Sequence, residues 1–413
     1  MSPQPGQSGS SPQAGGADAI HSRGGAKGLI SPAFLTSRIK GCTNEEGLMA
    51  LVGEHGSSFN FIHAATALNH AAHLYTEGAR VQPEFVKRLV EVAQQHVQQM
   101  RPRELANTAL ALADLGHQDA AFMGELVQAA KLQLHRFNPQ DVSNMALALA
   151  NHGHKDAAFM GALLEAAKPQ LRSFTPQGLA NTAWAMGNLG HVNPDFTNAL
   201  VQAAKLQLGR FKPQELSNMA WALATLGHVD SAFMRALVQA AKLKLGSFTP
   251  QALANTAWAM GNLGHVNPDF TNALVQAAKL QLGRFKPQEL ANTAWALATL
   301  GHVDAAFMRA LVPAAKLQLG SFNLQNLANT AWALATLGHK DTDFMRALVQ
   351  AAKLQLGSFN PQDVANTAWA LAALDEQNAK WVPALIEHAA AAANDFTLSE
   401  LRQLFQFFQW LDT

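Results

Sequence analysis

Cysteine occurs once in the 413 residues, and so does tyrosine. A lone Cys42 excludes a disulfide framework, and neither a cysteine-based zinc cluster nor a Cys-x-x-Cys redox pair can be built from it. Long hydrophobic runs are missing as well. No uninterrupted stretch of about 18 apolar residues occurs, so no helix is expected to cross a membrane. An excess of one charge is missing too: 30 Lys and Arg stand against 29 Asp and Glu, a net +1. The chain as a whole is therefore not a polybasic nucleic-acid binder. It holds no P-loop, nucleophile elbow, paired general acid and base, or metal-ligand spacing. These absences point away from an enzyme, a metalloprotein and a cofactor carrier.

What is present is repetition. Aligned on phenylalanine, blocks begin at Phe137, Phe174, Phe211, Phe248, Phe285, Phe322, Phe359 and Phe396, every step being 37 residues. Counting back, Met100 starts an earlier copy. Eight copies fill 100–395, and an altered ninth, 396–413, reads as a C-terminal capping helix. Residues 31–99 read as degenerate helical capping units at the other end. Residues 1–30, rich in Ser, Gly, Pro and Gln, cannot bury enough apolar surface to fold. They read as a disordered tail or the remnant of a targeting peptide, poor in acid but carrying only Arg23 and Lys27 as cations.

Each copy reads as two helices. In 285–321, Lys286 stands at the N-cap, Pro287 at N1 and Glu289 at N3, while other copies put Thr or Asn at the cap. The first helix, A, runs through "ELANTAWALATL" to Gly301, a helix stop. Asp304 caps the second, B, which the pattern carries through "AAFMRALVPAAKLQL" to Gly320, with a local kink expected at Pro313. Neither helix can bury its apolar face alone. Stacked copies can, and the fold class is an all-α solenoid of helical hairpins forming a superhelix.

The signature "F-x-P-Q-x-L-A-N-T-A-W-A-L-A-x-L-G-H", with the leader "TSRIKGCTNEEGLMALVGEHGSSFNFIHAATALNH" at 36–70, resembles the octotricopeptide repeat family over roughly residues 33–413. The FAST-kinase-like repeat proteins are a related group. The resemblance implies a sequence-selective RNA-binding protein acting in RNA maturation, stability or translation. It also implies an organelle, the chloroplast stroma ahead of the mitochondrion; a bacterial cytoplasmic protein or secreted effector is the alternative. Two features depart from the family: the period is 37 where the family's name implies 38, and no residues follow Thr413 for the RAP domain in which many members end.

Counting each copy's first residue as position 1, helix A places positions 6, 7, 10, 13 and 14 on one apolar side. Positions 4, 5, 8, 12 and 15 share the opposite sector. Position 8 is asparagine in every copy: Asn107, Asn144, Asn181, Asn218, Asn255, Asn292, Asn329 and Asn366. Position 12 is always alanine. Positions 5 and 15 vary. Position 5 includes Glu104, Asp141, Glu215, Glu289, Asn326 and Asp363; position 15 includes Asn151, Asn188, Thr225, Asn262, Thr299 and Thr336. The expectation is a ladder of amides, kept open by small alanines and flanked by variable polar residues that meet base edges. Two alternatives stand beside it: an asparagine that only ties neighbouring copies together, and a position 5 that only serves the helix N-terminus.

Trp184, Trp221, Trp258, Trp295, Trp332 and Trp369 fill position 11, at the edge between the two sectors. They read as core, with base stacking as the alternative. Histidine fills position 18 in seven copies and reads as a turn residue. Over 137–358, 17 Lys and Arg stand against 11 Asp and Glu, a net +6. The inter-repeat turns supply Arg136, Arg172, Arg210, Lys212, Arg284 and Lys286 as phosphate contacts. The expected partner is single-stranded RNA, one nucleotide per repeat, with protein partners besides and the chain itself a monomer. The rival is a scaffold whose asparagines grip an extended peptide, as in a bacterial host-directed protein.

Overall fold

Proline at the first helical position recurs in seven of the eight copies, and the first turn of those A helices is built on it. In a computed structural model that describes residues 31–353, 359–374, 382–392 and 394–411, the A helices are Pro102–Asp114, Pro139–His152, Pro176–Leu189, Pro213–Thr225, Pro250–Asn262, Pro287–Thr299, Leu324–Thr336 and Pro361–Leu374. Leu398–Leu411 stands ninth in the row. Among the described residues every regular element is helical. The tail at 1–30 lies outside them, as do 354–358 and 375–381 of the eighth hairpin's surroundings.

A left-handed glycine ends the A segment of the first seven copies, with φ between 61° and 68° from Gly116 to Gly338. Lacking a Cβ, glycine adopts this conformation without strain. A B helix follows, capped by the side chain of Asp119, Asp156, Asn193, Asp230, Asn267 or Asp304, each accepting the N–H of the phenylalanine three residues on. The B helices are shorter than the sequence pattern implies. Ala305–Lys316 stops four residues before Gly320, and a 3-10 turn, Leu319–Ser321, completes the connection. Leu317 at the break is 89% exposed, so it is no core residue. Pro313 sits inside the continuous helix.

The core is one continuous cluster. Copies contribute a position 1 phenylalanine (Met100 in the first), position 6 and 13 apolar side chains, and in the first seven copies a buried phenylalanine early in helix B, followed by methionine as in Phe307 and Met308 or by threonine at Thr197 and Thr271. Burying one such side chain stabilises by about 1.5–3 kcal/mol. Successive A helices pack on each other closely, whereas successive B helices touch sparsely. The A row is thus the compressed inner side of the superhelix and the B row its outer side. Glutamine at position 34 closes each hairpin on itself: Nε2 of Gln133, Gln170, Gln207, Gln281 and Gln318 donates to the position 1 carbonyl of its own copy, at 2.9–3.0 Å. Between copies, Lys131 and Lys279, late in their B helices, pair with Asp156 and Asp304 of the next copy at 3.1 and 3.2 Å.

The position 18 histidines are packed between copies. The ring of His191 lies against Gly161 of the preceding B helix. Nε2 of His228, His265 and His302 is buried without a hydrogen-bond partner. Burial pushes His191 and His265 below the ordinary histidine range, Arg235 adding to the effect at His265. His152, at position 16, is lowered by burial first and then by His154. A depressed histidine contributes nothing unfavourable while neutral in both states. Its cost appears as pH falls through about 6.5, where the unfolded chain takes up protons that the folded one refuses. The melting temperature will therefore be lower at pH 5.5 than at 7.5, and the double change His191→Gln, His265→Gln will narrow the gap. An unchanged gap in thermal melts would remove these rings from the account.

Candidate ligand groove on the A-helix face

Three grooves open on the A-helix row. One of about 490 Å³ lies between the second and third copies, with Gln140, Ser143, Asn144, Gln177 and Asn181 among its walls. One of about 340 Å³ lies between the fourth and fifth, with Gln214, Asn218, Gln251 and Asn255. The largest, about 600 Å³, is walled by Trp184, Asn188 and Trp221 at one end and Asn292, Ser321, Asn323 and Asn326 at the other. Residues of the third to the seventh copy share that space, so the A row curves around it. The walls are mainly amides and hydroxyls; Lys212 and Lys286 are the cations in these linings.

The position 8 asparagines form the floor of this face. Asn107, Asn144, Asn181, Asn218, Asn255, Asn292 and Asn329 are half-buried, and Asn366 is buried. At the two ends the row bonds along itself. Asn144 Nδ2 donates to Asn107 Oδ1 at 3.0 Å, and Gln403 Nε2, at position 8 of the ninth copy, donates to Asn366 Oδ1 at 3.2 Å. Between them, Asn181, Asn218, Asn255, Asn292 and Asn329 have no side-chain hydrogen bond to the rest of the fold. They are not tied to a neighbouring turn.

Beside them runs a tryptophan staircase. The position 11 rings are half-buried, with centroids 6.3 Å apart for Trp184–Trp221, 6.5 Å for Trp221–Trp258 and Trp295–Trp332, and 6.3 Å for Trp332–Trp369. Successive planes are tilted by 34–41°. Trp221 and Trp295 fit closely because glycine precedes them on the neighbouring helix: a Cβ on Gly187 would stand 3.1 Å from the Trp221 ring, and one on Gly261 3.2 Å from that of Trp295. Trp369 Nε1 closes the staircase by donating to Gln406 Oε1 at 2.6 Å.

Position 12 does not hold the ladder open. From Ala111 to Ala370 it is at most 1% exposed, wedged between successive A helices. Position 5 serves helix capping while bordering the grooves, with Glu289 and Asn326 in the lining of the largest. Glu104, Asp141, Glu215, Glu289 and Asp363 accept the backbone N–H of the residue three before, at 2.7–3.5 Å. Asn326 is buried in the same place, its N–H bonded to the Asn323 side chain. Burial raises the carboxyls of Asp141 and Asp363 above the usual range, against the lowering effect of the cap bonds. Position 15 behaves differently: Asn151, Asn188, Thr225, Asn262, Thr299 and Thr336 are all exposed. The hydroxyls of Thr225 and Thr299 donate to the carbonyls of Trp221 and Trp295, both at 2.9 Å. A threonine there offers outward only acceptor lone pairs, whereas an asparagine offers donor and acceptor.

The turn cations divide. Lys212 and Lys286 border the amide grooves. Arg172 and Arg210 line a separate crevice with Ala203 and Leu206, because the 3-10 turn carries them around to the B-helix side. Arg136 and Arg210 are further held by Gln133 and Gln207, at 3.0 and 3.3 Å. Arg284 is exposed and borders none of the three grooves. Among the described residues no cluster could hold a metal ion, and no helix is long and apolar enough to cross a membrane.

The sequence reading missed position 4, which is glutamine in seven of the eight copies and Arg103 in the first. These glutamines are exposed and make no side-chain hydrogen bond, and Gln140, Gln177, Gln214, Gln251 and Gln288 border the grooves. Their constancy was the available signal.

The family described as "Tbc2 translation factor, N-terminal domain" matches this chain over residues 116–226, 191–300 and 265–406. No curated protein matches it. Among solved structures, one titled as a homology model of the full-length AP-3 complex in an intermediate open conformation is 10% identical, covering 93% of this chain and 83% of that one, with a TM-score of 0.33. A circular tandem repeat protein with novel repeat topology and enhanced subunit contact surfaces is 12% identical, covering 92% and 93%, with a TM-score of 0.19.

Proposed function

We propose that this chain, which belongs to the Tbc2 translation factor N-terminal domain family, is an octotricopeptide-type repeat protein that binds single-stranded RNA along its A-helix face. In this reading it acts in RNA maturation, stability or translation inside an organelle, the chloroplast stroma ahead of the mitochondrion. It is a binder and not an enzyme, and it works as a monomer. The observation that carries the reading is the row of unbonded Asn181, Asn218, Asn255, Asn292 and Asn329 beside the half-exposed tryptophan staircase. The staircase step of 6.3–6.5 Å is close to twice the stacking rise of about 3.4 Å. A base laid on each rung keeps pace with the repeats at one nucleotide per repeat.

Position 15 then carries the variation that reads sequence. Residues 174–210 and 248–284 differ only at Gly178 and Ala252. Residues 211–247 and 285–321 differ at Ser217/Ala291, Met219/Thr293, Ser231/Ala305, Gln239/Pro313 and Lys244/Gln318, none at position 15. Four successive rungs thus present Asn188, Thr225, Asn262 and Thr299. RNAs selected from a random pool will contain a four-nucleotide stretch repeating with period two. Thr299→Asn will shift preference at one nucleotide by about 1–3 kcal/mol, the scale of one good base contact. A flat selection profile across those four positions would make position 15 drift and not a code.

A second reading draws on the neutrality of the groove walls. The same step equals two residues of an extended peptide, about 3.3 Å each, and amides also suit a peptide backbone. Salt separates the two. With Lys212 and Lys286 on phosphates, the logarithm of RNA affinity will fall against that of salt with a slope of about −1.4, the single-strand value for two contacts. Absence of RNA binding at low salt, alongside tight binding of an extended peptide, would replace the first reading by the second.

A further inference from the structure

Two glutamines are almost constant in this repeat, and they have opposite fates. The position 34 glutamine, Gln207 for example, is occupied by the fold: its Nε2 holds the Phe174 carbonyl at 3.0 Å. The position 4 glutamine has no such employment. Gln214, Gln251 and Gln288 are exposed, their side chains make no hydrogen bond within the chain, and they face the grooves one turn before the asparagines of the same helices. Residues at i and i+4 lie on one face of a helix, so each copy presents a pair of primary amides, Gln214 with Asn218 or Gln251 with Asn255. Recent duplication does not account for the constancy. Copy 137–173 has diverged from 285–321 at many positions and still keeps Gln140 and Asn144.

A side chain that is constant across repeats and idle in the fold contacts something that is constant along the ligand. Bases vary along a strand; the sugar and the phosphate do not. The two can be told apart by the chemistry of the amide. A phosphate oxygen only accepts, and a bare cation serves it better. A hydroxyl both donates and accepts, as does a carboxamide through its C=O and NH₂. The groove walls at this pair are nearly free of charge, which fits the hydroxyl. On a single-stranded RNA the hydroxyl present at every step is the ribose 2′-OH, the group that distinguishes RNA from DNA. We infer that the glutamine at position 4 and the asparagine at position 8 together hold the ribose 2′-hydroxyl of each nucleotide, making the groove selective for RNA over DNA whatever the base. This inference rests on the RNA-binding reading.

The test uses the full chain carrying Gln214→Ala, Gln251→Ala and Gln288→Ala, with an RNA chosen by selection and a DNA of the same sequence. The unsubstituted protein is expected to bind the RNA more tightly by at least about tenfold, and the triple variant to lose RNA affinity by about tenfold to a hundredfold, the scale of three ordinary hydrogen bonds. DNA affinity and the order of base preferences should stay as they were. The melt should stay too, whereas Gln207→Ala, which removes the bond closing its own hairpin onto the Phe174 carbonyl, should lower it. Equal loss of RNA and DNA binding would move the glutamines to the phosphates and overturn the inference. So would an altered base preference, or no loss at all. Equal binding of RNA and DNA by the unsubstituted protein would sink the inference and leave the RNA reading standing, whereas failure to bind either strand would end both.

Discussion

Replacing Trp221, Trp258 and Trp295 together with leucine will all but abolish single-stranded RNA binding while leaving a folded solenoid. The rings are half-buried in the row, with neighbours 6.3–6.5 Å away. Leucine keeps the apolar contact with the neighbouring helix but removes the flat π-face. Stacking of a base on an aromatic ring contributes about 1–3 kcal/mol by substitution. Three rungs lost together therefore amount to at least about 3 kcal/mol, more than a hundredfold in Kd. Quenching of the intrinsic tryptophan fluorescence on titration with RNA gives a direct reading, since the staircase holds six of the eight tryptophans in the chain. Helical content and urea melts provide the control. Unimpaired RNA affinity accompanied by a large fall in stability would show that the staircase is core packing and that bases bind elsewhere.

The repeat period, the hairpin in each copy and the asparagine row were legible in the sequence because tandem copies put the same side chain at the same angle again and again. The burial of position 12 was not. A helical wheel with one apolar side assumes one neighbour, but an A helix in this stack has three: its own B helix and an A helix on either flank. Ala111 and Ala296 therefore vanish into helix–helix contacts on what the wheel called the polar side. The same crowding at the first turn draws Asp141 and Glu215 inward, where their carboxylates serve the cap. Which side of the solenoid a turn cation faces depends on the path of a three-residue 3-10 turn, such as Leu208–Arg210. Spacing alone does not encode that path, and so Arg210 and Lys212, two residues apart, part company. Position 4 failed for another reason. Its glutamine is neither apolar nor charged nor variable, and only the contrast with the bonded position 34 glutamine reveals that it is idle.

That contrast between bonded and idle amides also sets the expected outcome for the asparagine row. Asn255, Asn292 and Asn329 make no side-chain hydrogen bond within the fold, whereas Asn144 donates to Asn107 at 3.0 Å. Replacing the first three with alanine leaves no partner stranded. Their loss should change the urea midpoint very little, surface substitutions of this kind falling within about 0.5 kcal/mol. Bound RNA, by contrast, would lose one hydrogen-bonding rung per substitution. At about 1 kcal/mol each, the triple variant should bind roughly a hundredfold more weakly. Asn107→Ala supplies the opposite case. It strands the amide of Asn144 in a half-buried site and should lower stability by about 1 kcal/mol or more. If the triple variant melts early and binds RNA normally, the central asparagines are structural ties like the pair at Asn107 and Asn144, and the amide ladder is not the ligand-binding surface.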